Sequence, residues 1–177
     1  MNLVSIALDA QGASVVRPWH DAADADFVTL VDSQNIFGTR YNLKAIPYGV
    51  MIDESGRLVK APFNVNVKNQ KTLAMLEKWL SDPDYNAMLL REMKPSNGST
   101  AKTNAEAAAR FQLGLILLEN GKKDEAMTEW RKALALDPQN WIIHKQIWAV
   151  EHPDKFYKGS VDYGWQKAQL EVEKSEP

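Results

Sequence analysis

The chain has 177 residues, 45% of them hydrophobic and 25% charged, an ordinary globular mixture able to fill one domain of normal size or two small ones. A formal net charge of −2 argues against general affinity for nucleic acid or anionic membranes, and no apolar run approaches the ~20 residues of a bilayer span. There is no cysteine, so disulfides, thiol chemistry and cysteine-based zinc sites are excluded within this polypeptide.

Leu3–Leu8 is a short apolar run closed by Asp9–Ala10–Gln11–Gly12, which predicts a buried strand and a turn. The apolar positions from Ala22 to Val31 suit a helix, and Phe37, Tyr41 and Leu43 continue a compact apolar segment. Tyr48–Ile52 and Arg57–Lys60 flank Asp53–Glu54–Ser55–Gly56, whose last residue suits a turn at positive φ; a hairpin is predicted there. Leu73, Leu76 and Leu80, with Trp79 beside them, form the apolar stripe of a helix capped near Asn69, and Asp82–Met93 continues as helix.

Lys94–Thr103 contains Pro, Gly, Ser and Thr but no large apolar residue, and predicts a linker between a unit at 1–93 and a helical unit at 104–177. Thr103–x–x–Glu106 has capping-box spacing and precedes Phe111, Leu115 and Leu118 on one helical face. Gly121 ends that helix. Lys123–Leu136 is a second helix stopped before Asp137–Pro138, and Asn140 caps a third running to about Val150. Tyr163–Glu173 is a last, charged helix.

Residues 1–80 thus follow the order strand, helix, strand, hairpin turn, strand, helix. With Ser5–Ile6–Ala7–Leu8–Asp9, Val31–Asp32, Tyr41–Asn42–Leu43, Ile46–Pro47, Ile52–Asp53 and Ser55–Gly56–Arg57, this segment resembles the thioredoxin-like proteins, closest to their TlpA/ResA and peroxiredoxin-like branch. The resemblance implies an α/β thioredoxin-like domain that is incomplete, with three strands. The family's first core strand and its helix bearing the reactive Cys would precede Leu3. It also implies a cis Ile46–Pro47 peptide and a peptide-binding edge at Ile46, Pro47 and Tyr48, although the family usually carries a small hydroxyl residue where Tyr48 stands. Three accounts of the missing strand stay open. A reactive Cys or Sec segment lies upstream of Met1; a partner or second copy donates a strand, giving a homodimer; or the remaining strands close into a smaller sheet.

Residues 107–140 resemble one tetratricopeptide repeat, matching in type and spacing at Leu113, Gly114, Leu117, Gly121, Ala126, Trp130, Ala133, Leu136 and Pro138. Small Gly114 and Ala126 allow close helix approach, Trp130 fills the large aromatic position, and Pro138 ends the second helix. One period of ~34 residues further on, Gly114 maps to Trp148 and Ala126 to Ser160, so no second copy follows. A lone hairpin lacks the neighbours that make a concave groove, and the third helix is expected to cap it while the set docks on the first half.

Other residues are assigned to structure. Trp130, Trp141, Trp148 and Trp165 are expected in the core, and His144, on an aromatic stripe, has no metal-ligand companion at ligand spacing. Asp24, Asp26 and Asp32 lack the pattern of a calcium loop, and Phe156 and Tyr157 are expected to pack under a turn. No catalytic residue, metal or cofactor is expected. The sequence predicts a redox-silent protein-interaction or scaffold role with a protein partner, no nucleic acid and no membrane, in the cytoplasm by default. The alternative is the C-terminal part of a thiol or selenol oxidoreductase.

Overall fold

The computed structural model describes residues 2–92 and 101–175. The first half contains β1 (Val4–Ala7), α1 (Ala13–Ala22), β2 (Val28–Val31), α2 (Ile36–Arg40), β3 (Tyr48–Ile52), β4 (Leu58–Asn64), α3 (Gln70–Ser81) and α4 (Tyr85–Glu92). The second half is helical: α5 (Ala101–Glu119), α6 (Lys123–Leu136), α7 (Trp141–Glu151), α8 (Pro153–Tyr157) and α9 (Tyr163–Ser175).

Four strands are present among the described residues, where three were expected. They form two separate two-stranded sheets, β1 parallel to β2 and β3 antiparallel to β4. The additional strand, Val28–Val31, lies where helical periodicity was expected. Its residues pair in register with β1 (Val4 with Val28, Ile6 with Leu30), and that pairing overrides a local pattern too short to fix its own period. The helix itself lies upstream at Ala13–Ala22, with Pro18 inside it, and Asp24 at φ 47 follows its end.

The β3–β4 hairpin forms as expected. Gly56 has φ 80, and the Asp53 carboxylate accepts from the backbone N–H groups of Ser55 and Arg57 while pairing with the Arg57 guanidinium at 2.8 Å. Its inner residues Met51 and Val59 pack with Tyr85 and Leu89 of α4, and with half-buried Met75 and Trp79 of α3. Leu80, assigned to that inner stripe, is 56% exposed, and Met75 takes the inward position. The side chain of Asn69 caps α3 by accepting from Lys71 N–H. Helix does not run unbroken beyond Asp82: α3 ends at Ser81 and α4 starts at Tyr85.

Residues 94–100 of the expected linker lie outside the described residues, and 101–103 belong to α5. Thr103 is therefore inside the helix and not its cap; the alanine-rich run from Ala101 to Ala109 carries helix further upstream than the capping-box spacing suggested. At its other end α5 closes in a Schellman motif. Lys122 N–H reaches the Leu117 carbonyl and Gly121 N–H reaches that of Leu118, with Gly121 at φ 75. Asn140 caps α7 through Ile142 N–H and Ile143 N–H.

The larger core lies among the C-terminal helices, with Phe111, Trp130, Ile143 and Trp148 almost fully buried, and the first half contributes to it. Leu43 is buried in this cluster, and Leu8, Ala10, Phe37 and Tyr41 pack against it.

Candidate interaction surfaces

The α5–α6 hairpin is built around one close approach. A methyl group placed on Gly114 would overlap the Trp130 indole, so only glycine lets the ring lie against the α5 backbone. Trp130 has no exposed surface and donates its indole N–H to the Phe111 carbonyl at 3.1 Å. Ala126 and Ala133 are fully buried on α6, Leu117 is half-buried, and Pro138 lies just beyond the C-terminus of α6. Leu113 points outward, 45% exposed, and Ile116 beside it is 53% exposed.

Helix α7 covers the hairpin and carries the polar seam to the first half. The Gln146 amide bridges the loop after β1, accepting from Ala10 N–H at 2.8 Å and donating to the Leu8 carbonyl at 3.1 Å. Gln11 donates to the Ala149 carbonyl and to the Tyr157 hydroxyl, and that hydroxyl donates to the Asp9 carboxylate. Burial pushes the Asp9 carboxyl up from its ordinary value, against the lowering effect of Gln11 N–H and the Tyr157 hydroxyl. Burial, with the charge of Asp9 beside it, likewise raises the Tyr157 phenol. Lys44 pairs with Asp137, and Gln112 donates to the Gln34 carbonyl at 2.7 Å.

Composition alone did not single out Asp9, Gln11 and Gln146. The one signal was the pair Phe156 and Tyr157, expected to pack under a turn; Pro153–Tyr157 forms the short helix α8 instead. His144 is a buried structural group, between the Pro138 carbonyl and Glu173. No group of three or more His, Cys, Asp or Glu that could hold a metal occurs among the described residues. No helix there is long and apolar enough to cross a membrane.

Ile46 and Tyr48 are 44% and 40% exposed, with Pro47 exposed between them. The Ile46–Pro47 peptide is cis, and the Pro47 carbonyl is already engaged by Val65 N–H at 3.1 Å. Tyr48 begins β3 opposite Asn64.

A second exposed apolar surface lies on the parallel pair. Because side chains alternate along a strand, Val4, Ile6, Val28 and Leu30 share one face, with Ser5, Ala7, Thr29 and Val31 on the other. Helix α1 covers the second face, where His20 Nδ1 is 3.0 Å from Thr29 Oγ1. On the first face Val4, Val28 and Leu30 are each at least 50% exposed. Parallel strands normally have both faces covered.

Residues 107–140 match the family model of the tetratricopeptide repeat, a unit that commonly mediates protein–protein interaction. No curated protein and no solved structure matches the chain.

Proposed function

We propose that this chain is a non-catalytic protein-interaction scaffold, in which the tetratricopeptide-type hairpin and its capping helix hold an incomplete thioredoxin-like α/β half that accepts an extended segment of a protein partner. One observation carries this: the parallel β1–β2 pair is covered on one face by α1 and leaves Val4, Val28 and Leu30 bare on the other. Among the described residues each of the two sheets has two strands, so each has edges able to receive a further strand through backbone hydrogen bonds. Ile46, Pro47 and Tyr48, at the start of β3, supply the apolar side-chain contacts beside such an edge.

The test is capture of an extended, β-branched peptide library by the purified chain, compared with Leu30→Asp and Tyr48→Asp variants. Both residues are exposed, so folding should be retained. Loss of at least tenfold in affinity in both supports strand acceptance; unchanged affinity in both counts against it.

The same bare face favours a second function. A strand and helix encoded upstream of Met1 and carrying a reactive Cys or Sec would cover it, making this chain the C-terminal part of a thiol or selenol oxidoreductase. Intact mass of the protein isolated from its source, with the in-frame upstream sequence, separates the two. An upstream Cys or Sec codon in the mature protein supports the enzyme, and a mature chain starting at Met1 supports the scaffold.

A further inference from the structure

The buried ring of His144 faces acceptors on both sides. Its Nε2 lies 3.1 Å from the Pro138 carbonyl, and its Nδ1 lies 3.1 Å from a carboxylate oxygen of Glu173 on α9. A carbonyl only accepts, so Nε2 carries a proton; an ionised carboxylate only accepts as well, so the contact at Nδ1 needs a second one. A neutral imidazole has a single N–H and can satisfy one side. Whether the second proton sits on Nδ1 or on Glu173, the pair holds one proton more than a neutral ring and a free carboxylate. Glu173 also accepts from the Trp148 indole N–H and from the Gln169 amide, which makes it the polar anchor of α9 on α7. The apolar anchors are Trp165 and Leu170. Against them stands Gln166, 4% exposed, whose amide nitrogen is buried without a hydrogen-bond partner, a cost carried by the docked helix. The other charged residues of α9, Lys167, Glu171 and Lys174, are exposed.

We propose that α9 is a proton-gated strap over α7, docked while the His144–Glu173 pair holds this extra proton and released when it is lost. With the proton gone, the Nδ1 lone pair faces the carboxylate where little water can enter, and a hydrogen bond becomes a repulsion. Release returns both groups to water, where a neutral ring and a carboxylate coexist without cost. Docking therefore takes up one proton and weakens as pH rises, by up to about tenfold for each pH unit once the undocked ring is neutral. Release also bares Trp148, 1% exposed in the docked form, and the Trp165 ring 5.9 Å from it. Three other titratable groups lie near the ring. Lys145 is beside His144 on α7, His152 meets the Trp165 ring edge-on at 4.9 Å, and Asp137, next to Pro138, is engaged by Lys44 and Asn140. Among the described residues the ring's ion pair is with Glu173. The strap is independent of the strand-accepting surface on the other half.

Hydrogen–deuterium exchange of the full chain from about pH 6 to about 8.5, corrected for the intrinsic rate, reads the protection of α9 against that of α6 as an internal reference. In the wild type this ratio should fall by about tenfold or more across the range. In Glu173→Gln the side-chain amide can donate to the neutral Nδ1 while its oxygen still accepts from Trp148. Docking then no longer needs the proton, and the profile should be flat. A merely structural anchor would instead lose protection by one factor at every pH and keep the slope. His152→Gln and Lys145→Gln should also keep the slope. All three side chains are partly exposed, so folding should be retained. A flat wild-type profile overturns the proposal. So does a slope that survives Glu173→Gln, or one that disappears in His152→Gln or Lys145→Gln.

Discussion

The Tyr157 hydroxyl donates to the Asp9 carboxylate at 2.8 Å, joining the end of the first strand to a short helix 148 residues later in the chain. Gln11 donates to the same hydroxyl at 2.9 Å, so the phenol is at once donor and acceptor in the seam between the two halves. Gln146 sews the adjacent backbone to α7. The first half is therefore held by polar groups of specific geometry as well as by the apolar contacts of Leu8, Ala10 and Leu43.

Tyr157→Phe keeps the ring and removes both hydrogen bonds, leaving the partly buried Asp9 carboxylate and Gln11 amide each one partner short. The expected cost is about 1–3 kcal/mol, since unsatisfied buried groups lose their desolvation energy uncompensated. A urea unfolding midpoint that falls with an unchanged slope would match this. An unchanged midpoint would mean the seam contributes nothing to stability.

Asp9 sets a pH dependence of defined sign. Its folded carboxyl titrates above the ordinary 3.8 because burial disfavours its charge, so the folded chain holds that proton more tightly than the unfolded chain. The corresponding stabilisation is complete below 3.8 and is lost as pH rises through the folded value. Asp9→Asn removes this component. The stability difference, wild type minus variant, should fall as pH rises from about 3.8 toward neutrality; a flat difference would show that Asp9 ionises as freely folded as unfolded.

Gly114→Ala places a methyl group into the space of the fully buried Trp130 ring. Although alanine is the better helix former, the helices must separate or the indole must leave its position, and overpacking of this kind costs about 1–3 kcal/mol. The variant should show a lower thermal midpoint and altered Trp fluorescence. A raised midpoint would mean that α5 and α6 pack less closely here.

Local chemistry made the helical half legible. Gly121, Asp137–Pro138 and Asn140 mark boundaries through backbone geometry and capping, and Lys123–Leu136 forms with the bounds expected from them. The hairpin was legible for the same reason, since Gly56 and Asp53 act within five residues. The Thr103 capping box failed because helix propensity upstream outweighed one spacing, and Leu80 failed because the face of α3 that meets the hairpin core is the one carrying Met75 and Trp79, a choice set by the packing partner.

The sequence by itself determined where the chain turns, which helices pair as a tetratricopeptide-type hairpin, and that no thiol chemistry belongs to these 177 residues. Those properties depend on contacts a few residues apart, or on composition. The tertiary structure alone decided that Val28–Val31 is a strand, that Asp9, Gln11, Gln146 and Tyr157 meet, and that an apolar face remains bare on β1–β2. Each of these depends on groups distant in sequence, whose pairing is fixed by packing and not by any local pattern.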